Sequence, residues 1–353
     1  MPGAGGFASA GGTASSGGVS AVGGVPGVAG ASASGGVPGS GGVTASGASG
    51  SGGTTDVPPP DTQQYTFVMD SFHVDPGGEF YECQDQPNPF GVDVAIVRTE
   101  STVSLGAHHL YLFQIPSSQA AFNPPAFGQP ALTPAFTPDG KKTPVFNCPD
   151  GGFEFHPYLH LTQRQYDVIS YPDGIGRSLS SSEATRFMVH YLNTTSDPID
   201  VGASVTVDYE KASGVSQLAA GIFVYAPALQ VPPGMSTQTF SYPVARDMSL
   251  LQMTGHMHQR GVHYEAHVRT AAGDDRIVYT SDTWDEPPTQ NFSPPLSLKA
   301  GDSVRYSCTY VNGTSTTLTY GESAATNEMC NLFGVYFPAT SSDGISSPVL
   351  GAN

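Results

Sequence analysis

Positive charge is scarce in this sequence, and the scarcity argues against two classes of partner. Lys and Arg together number 13 against 30 Asp and Glu, which gives a formal net charge of −17. Nucleic acids and anionic membrane surfaces bind proteins through positively charged surfaces, so neither is expected as a partner. The sequence also lacks an apolar run of the ~20 residues that a membrane-spanning helix needs, so no membrane span is predicted.

The N-terminal stretch lacks both charged and bulky residues. Before Asp56 there is no charged residue and only one aromatic residue, Phe7. Such a composition cannot bury enough apolar surface to offset chain entropy, so residues 1–60 are expected to be a disordered, Gly/Ser-rich linker. No signal peptide is visible after Met1, because neither a basic nor an apolar segment follows. A Gly/Ser tract before a β domain is typical of a tether on an exported protein, so we expect the true start to lie upstream.

Cysteine is limited to four residues, and none of them forms a CxxC pair. This spacing argues against a zinc ribbon or a thioredoxin-like redox motif. An even number of widely spaced cysteines in a loop-rich chain predicts two disulfides, for which three connectivities are possible. The expected location is therefore extracellular, periplasmic or tethered to a cell surface. The four residues are Cys83, Cys148, Cys308 and Cys330.

A sustained helical period is also missing, and short alternating runs take its place. Ser204–Tyr209 and Phe187–Tyr191 are examples, and Gly, Pro, Asn and Asp clusters separate such runs. This pattern predicts an all-β fold. We expect two tandem antiparallel β-sandwich, jelly-roll-like domains, with boundaries at 61–213 and 214–345, followed by a tail over 346–353. The proline-rich stretch 116–149 is expected to be an irregular loop of the first domain.

The clearest chemical signal is the pair His256 and His258. Residues i and i+2 of a strand face the same side, so both imidazoles can bind one metal ion. Two imidazoles suit copper, zinc, nickel or iron, and a thioether as third ligand would favour copper. Two surface histidines are the alternative interpretation.

Three other candidates are weaker when each is considered alone. Neighbouring residues on a regular strand face opposite sides, so His108 and His109 could share a metal only at a twisted, bulged or terminal position. His190 taken singly is typical of a structural histidine in a strand, and Met329 taken singly is typical of core packing.

The order of these segments resembles the copper type II, ascorbate-dependent monooxygenases. That family has a Tyr-x-Cys segment, His-His, a His-Tyr strand, His-x-His and Glu-Met-Cys, in this order. The matching segments here are Tyr81-Glu82-Cys83, His108-His109, His190-Tyr191, His256-Met257-His258 and Glu328-Met329-Cys330. The resemblance covers roughly residues 62–338.

The resemblance implies two mononuclear copper ions per chain and ascorbate as electron donor. One copper would be held in the first domain, and the other in the second domain would bind O2 and attack a substrate C–H bond. In the family a solvent-filled cleft separates the two ions, and the three-histidine copper passes an electron. Tyr81 matches a tyrosine that supports one histidine of the first site. The implied ligands of the first copper are His108, His109 and His190. The implied ligands of the second copper are His256, His258 and Met329, which are also the implied catalytic residues.

The resemblance also implies a pairing of the cysteines. Cys83 with Cys148 would tie the long proline-rich loop to the first domain, and Cys308 with Cys330 would fix the strand next to Met329. The alternative is that some of these residues are free thiols or copper ligands.

Three positions near the second site bear on the substrate. The peptide-amidating member of the family binds a peptide carboxylate with an arginine and a tyrosine, where this chain has Thr254 and Phe333. Without the arginine, a carboxylate loses its charge-assisted partner, so a peptide substrate is not expected even though Asn331 is retained. Thr254, Asn331 and Phe333 are the candidates for the substrate pocket.

The leading hypothesis is an enzyme, an oxidoreductase that hydroxylates a C–H bond of a small organic substrate with O2. The alternative from another class is a non-catalytic copper-binding surface protein on a Gly/Ser stalk. A zinc-binding β-sandwich is a third interpretation.

Overall fold

Strands form nearly all of the regular structure, as the alternating sequence predicts. The computed structural model describes residues 62–116, 141–148, 157–341 and 344–351. Across these ranges the chain is nearly all β, which confirms the all-β prediction, and the one helical element is a short 3-10 turn, Ala212–Gly214. Within the described residues no helix has the length and apolarity needed to cross a membrane.

The N-terminal half contains two large sheets that share a core. The first sheet is ordered β1 (Gln63–Val68), β12 (Ala203–Lys211), β4 (Val94–Val103), β9 (Ile175–Leu179) and β13 (Gln217–Leu218), with β8 (Tyr166–Ser170) also paired to β4. The second is ordered β6 (Phe146–Asn147), β3 (Glu79–Gln86), β10 (Glu183–Leu192), β5 (Ala107–Pro116) and β7 (Tyr158–Thr162). A small sheet joins β2 (Phe72–Val74) and β11 (Ile199–Val201). Phe67 and Val205 of the first sheet pack with Leu110 of the second in one buried cluster.

The C-terminal half repeats this two-layer arrangement. One sheet is ordered β20 (Gln290–Leu298), β17 (Met248–Met257), β23 (Cys330–Phe337), β14 (Ala220–Tyr225) and β24 (Ile345–Pro348). The other is ordered β16 (Gly234–Pro243), β21 (Ser303–Asn312), β18 (Gly261–Arg269) and β19 (Asp275–Ser281). A small sheet joins β15 (Gln230–Val231) and β22 (Leu318–Thr319). Burial alternates along β21, so its inward residues pack with those of β17 and β23 in a second core.

The two halves meet through aromatic side chains. Tyr158 of β7 donates a hydrogen bond from its hydroxyl to the carbonyl oxygen of Gly334 in β23, at 2.6 Å. Its ring covers Gly221 of β14, where an added Cβ would come within 2.4 Å of the tyrosine. Tyr111 and Phe333, one from each half, belong to the same buried cluster. The described residues all belong to one compact unit, Asp56–Asn353.

Some segments differ from the predicted boundaries or lie beyond what the structure describes. β13 follows the predicted boundary at residue 213 but pairs with β9 of the N-terminal half. The tail predicted from residue 346 is wrong where it is described, because β24 pairs with β14. The linker 1–60 and most of the proline-rich loop 116–149 lie outside the described residues. The division into two domains stays a prediction.

Both disulfides implied by the resemblance are present. Cys83 bonds to Cys148 and Cys308 bonds to Cys330, with Cα atoms 5.7 and 6.0 Å apart. None of the four cysteines is a free thiol. The first bond joins β3 to the segment after β6, and the second joins β21 to the start of β23. Each therefore lies beside a strand that carries or adjoins a candidate ligand.

Candidate metal centre

A β-bulge places the adjacent histidines of β5. The register runs from His190 opposite His109 to Tyr191 opposite Ala107, so His108 is the extra residue without a direct partner on β10. A bulge bends the strand and re-aims a side chain. The His108 and His109 rings consequently lie 5.3 Å apart with only 44° between their planes. This is the irregular geometry that the sequence required if the two residues are to serve one site.

His190 is fixed by two residues of β3. Its ring stacks on Tyr81, with centroids 3.9 Å apart and 13° between the planes. Its Nε2 lies 3.0 Å from Glu79 Oε1, so Nε2–H donates to the carboxylate. The Nδ1 atom is buried and has no hydrogen-bond partner. His190 therefore presents Nδ1 for a further bond.

Glu79 connects this histidine to the C-terminal half. The Ala324 amide donates to Glu79 Oε1 at 2.8 Å, and the Ser323 hydroxyl donates to Oε2 at 3.0 Å. Hydrogen bonds from His190 and from these groups outweigh burial and lower the Glu79 pKa to about 2. Tyr81 reaches the same segment by donating to the Glu322 carbonyl oxygen at 2.8 Å. The segment 322–324 thus lies against the strand that orients His190.

His256 is oriented by a side chain from the opposite half of the molecule. Its Nδ1 lies 2.5 Å from Gln163 Oε1, just after β7. Gln163 Nε2 donates to the Gly255 carbonyl oxygen at 2.8 Å, which fixes the amide so that its oxygen faces the imidazole. His256 Nδ1 therefore carries the proton, and Nε2 keeps its lone pair.

His258 follows β17 and is held by the segment before β23. Its backbone N–H donates to Glu328 Oε2 at 3.1 Å, and its Nδ1–H points to the Asn327 carbonyl oxygen at 3.3 Å. Nε2 is buried without a hydrogen-bond partner. Burial raises the pKa of Glu328 to about 7, although the amides of Arg260 and His258 oppose that rise. His256 and His258 both leave Nε2 available.

Met329 lies directly before β23, beside the end of β17. Asn331 pairs with His256 across these strands, and its Nδ2 donates to Met329 Sδ at 3.3 Å. The Tyr310 hydroxyl donates to the Met329 carbonyl oxygen at 2.7 Å. Met329 is buried in the aromatic cluster between the halves. Its thioether is therefore fixed close to the His256 strand.

Histidines from both halves form one cluster. The His108 ring centroid lies 4.7 Å from that of His256 and 5.5 Å from that of His258. One nitrogen from each of these three rings lies within 4.8 Å of the others. This differs from the expected solvent-filled cleft between two ligand sets. The aromatic contacts around Tyr158 and Phe333 bring the strands together and leave the rings in contact.

Burial keeps the clustered imidazoles neutral. All five rings are at most 3% exposed, and burial is the main cause that lowers each pKa: His108, His109, His190, His256 and His258. Neutral imidazole is the form that binds a metal ion. Both nitrogens of His108 join His190 Nδ1 and His258 Nε2 as buried atoms without partners. Such atoms are costly unless something binds them, and imidazoles with a nearby thioether suit copper.

Two of the candidate pocket residues, Phe333 and Thr254, lie beside His256 and are apolar or already hydrogen-bonded, whereas the third, Asn331, keeps a buried Oδ1 without a hydrogen-bond partner. Phe333 stacks on Phe223 with centroids 4.9 Å apart, and its ring lies 5.7 Å from that of His256. Thr254 donates to the Pro288 carbonyl oxygen at 3.2 Å. The wall beside His256 is therefore aromatic where the peptide-amidating relatives would bind a carboxylate.

Three residues beside the cluster escaped the sequence reasoning. Glu79 lies two residues before Tyr81 on the same strand, so the two side chains face the same side, and this spacing could have identified Glu79 from the sequence. Gln163 had no signal, because it meets His256 only when the halves pack. Trp284 lies 5.4 Å from His108 between ring centroids and so packs on a candidate ligand.

The other histidines that the structure describes lie outside the cluster. His263 and His267 each contact a carboxylate at 2.6 Å on the outer sheet of the C-terminal half, which agrees with a structural interpretation. His73 is exposed beside Asp200. His160 is buried and bonded to Thr99, and His156 lies outside the described residues.

Comparison with known proteins supports the resemblance for the C-terminal half. Residues 219–349 match the family model of the copper type II ascorbate-dependent monooxygenase, C-terminal domain. The expected family resemblance is confirmed there, and the range includes His256, His258 and Met329.

Two solved structures are weakly similar to the chain as a whole. One, from the Sulfolobus turreted icosahedral virus, is 9% identical over 78% of this chain and 91% of that one, with a TM-score of 0.33. The other, from the Gx strain of infectious bursal disease virus, is 12% identical over 79% and 78%, with a TM-score of 0.17. Likenesses this weak carry no functional argument.

Proposed function

From the family match over residues 219–349, we propose that this chain is a copper- and ascorbate-dependent monooxygenase. It hydroxylates a C–H bond of a small organic substrate, inserts one atom of O2 and releases the other as water, with both electrons taken from ascorbate. The carrying observation is the buried convergence of His256 and His258 with the three histidines of the N-terminal half. The matched range also includes Met329, which directly precedes β23.

The proposed ligand sets follow the order of the segments that resemble the family, and the hydrogen bonds of His190, His256 and His258 indicate which nitrogen each would contribute. His108, His109 and His190 would hold one copper, with His190 contributing Nδ1. His256 and His258 would hold the second through Nε2, with the thioether of Met329 as third ligand. Bound copper supplies electron transfer at the first set and oxygen activation at the second.

The protein's own residues orient these ligands and exclude water. Gln163 and the Asn327 carbonyl fix the Nδ1 protons of His256 and His258, and Glu79 fixes the Nε2 proton of His190. Such partners set the ring orientation and raise ligand basicity. The aromatic pair Phe223 and Phe333 supplies an apolar wall beside His256. An apolar substrate fits that wall better than an anionic one.

The cellular location and the rival function are considered together, because the same disulfides and histidines bear on both. Two disulfides indicate an oxidising compartment, and we propose that the protein is secreted or attached to a cell surface. A non-catalytic copper-binding surface protein would share the disulfides and the histidines. Substrate-dependent oxygen uptake separates the two.

The test combines oxygen uptake with copper stoichiometry. The copper-loaded full chain, given ascorbate and a panel of phenethylamines, amidation precursors and lipophilic small molecules, should consume O2 with at least one substrate and bind two copper ions. Met329→Ile should abolish turnover. Met235→Ile, at a position that is 76% exposed, is the matched control and should retain it.

Three outcomes would contradict the proposal. Full activity in Met329→Ile would show that the thioether is not part of the active site. Binding of two copper ions with no oxygen uptake on any substrate would favour the non-catalytic protein. One ion per chain would instead point to a single site shared by His108, His256 and His258.

A further inference from the structure

Arg177 of β9, which is not part of the histidine cluster, has an unusual electrostatic environment. Its side chain is only 1% exposed, and neither Nη1 nor Nη2 has a hydrogen-bond partner. No carboxylate within the described ranges forms an ion pair with it. The isolation is unusual in a chain with 30 Asp and Glu residues. A buried charge without a partner is strongly destabilising, so Arg177 requires a counter-charge.

The surroundings of Arg177 supply further unsatisfied groups. Tyr171 and His160 both meet β4, where the Tyr171 amide donates to the Val97 carbonyl oxygen at 3.1 Å and His160 Nδ1 lies 2.7 Å from the Thr99 hydroxyl. The Tyr171 hydroxyl and His160 Nε2 are buried without partners. Arg177 acts on both. Its charge and its close approach to the hydroxyl oppose the rise that burial causes in the Tyr171 pKa, and its charge adds to the burial that lowers the His160 pKa.

These unsatisfied groups share one chemical property, because each of them can donate a hydrogen bond. A guanidinium has N–H donors and no acceptor. A phenol hydroxyl donates, and His160 donates from Nε2 when the Thr99 hydroxyl donates to Nδ1. Donors gathered around a buried cation match a ligand that only accepts hydrogen bonds and carries negative charge.

We propose that Arg177, Tyr171 and His160 bind a small monovalent anion, a carboxylate or a halide. The site lies beside the contact between the two halves. The guanidinium carbon is 4.9 Å from the ring centroid of Tyr158, whose hydroxyl bonds to Gly334 of the C-terminal half. The anion neutralises the cation at this contact and stabilises the folded chain. The inference is independent of the copper chemistry proposed above.

The test is thermal unfolding of the full chain at constant ionic strength. The protein is dialysed into a bulky organic sulfonate salt, which is then replaced stepwise by sodium formate or sodium chloride. The Tm of the wild type should rise saturably, by about 5 °C once the anion exceeds its Kd about 100-fold. The two salts distinguish a carboxylate ligand from a halide ligand.

Arg177→Met retains side-chain length and removes the cation. In sulfonate its Tm should equal or exceed that of the wild type, because an unpaired buried charge has gone, and the response to formate and chloride should vanish. Arg276→Met, at an exposed arginine, is the matched control and should respond like the wild type. If Arg177→Met fails to fold, Tyr171→Phe keeps the cation, removes one donor and should weaken the apparent anion affinity about 5-fold.

Three results would overturn the inference. The wild type could show no saturable anion response, or Arg177→Met and Arg276→Met could respond equally. Bromide soaked into crystals should give an anomalous peak at the Nη atoms of Arg177, and a peak elsewhere only would count against the site.

Discussion

Replacing Gln163 by leucine tests whether one half of the molecule orients a ligand held by the other. The amide accepts from His256 Nδ1 at 2.5 Å and donates to the Gly255 carbonyl oxygen at 2.8 Å. Gln163→Leu is close in volume but leaves both buried groups without partners. Each such group costs about 1–3 kcal/mol, so we expect a loss of about 2–6 kcal/mol in the free energy of unfolding. The Tm of the metal-free protein should fall by about 4 °C or more.

The same substitution should weaken copper binding at the second ligand set. Loss of the hydrogen-bonding partner of a metal-bound histidine typically lowers metal affinity 10–100-fold. Competition titration with a Cu(I) chelator measures this, and thermal unfolding without metal measures the structural part. Gln165→Leu is the matched control, because Gln165 is exposed and its side chain bonds only to Glu286. If Gln163→Leu and Gln165→Leu bind Cu(I) equally well, Gln163 does not orient His256.

Three further predictions concern the first ligand set, a buried histidine and a disulfide. Glu79→Gln removes the charge facing His190 Nε2, so copper affinity of the three-histidine set should fall about 10-fold in the same titration; an unchanged affinity would exclude this orienting role. Burial lowers the pKa of His160 to about 3 from an ordinary value of 6.5, so the unfolded chain takes up the proton first as the pH falls. The contribution of neutral His160 to the free energy of unfolding is present above pH 6.5 and decreases by about 2 kcal/mol between pH 6.5 and 5. In a plot of Tm against pH, His160→Gln should lack this decrease. Cys308 and Cys330 are 22 residues apart, and replacing both with serine should cost about 3 kcal/mol in urea unfolding. A difference under about 1 kcal/mol would contradict the last estimate.

The sequence anticipated the strands because their burial follows a two-residue period. β21 shows this, since its alternating apolar residues are the ones that lie in the core. Local pattern also identified His256 and His258, which an ordinary strand places on one face. It could not settle His108 and His109, because only the register of β5 against β10 shows that a bulge occurs there.

Contacts between distant segments escaped the sequence for a different reason. Gln163 and His256 are 93 residues apart, and Glu79 and Ala324 are 245 apart. No local period encodes such pairs, since they depend on how the two halves pack. The tail predicted from residue 346 differs from the structure for the same reason. A short terminal segment such as β24 forms a strand only where the edge of a sheet pairs with it.

The sequence by itself determined the all-β class, the order of the candidate ligand segments and the absence of a cation where the family's peptide-amidating member binds carboxylate. These properties are local, since each depends on residue type and on spacing along one strand. Only the tertiary structure decided that His108 lies 4.7 Å from His256, which nitrogens are left free, and that Arg177 is buried without a counter-charge. Those properties depend on packing, because distances and burial arise when strands remote in sequence close around the same volume.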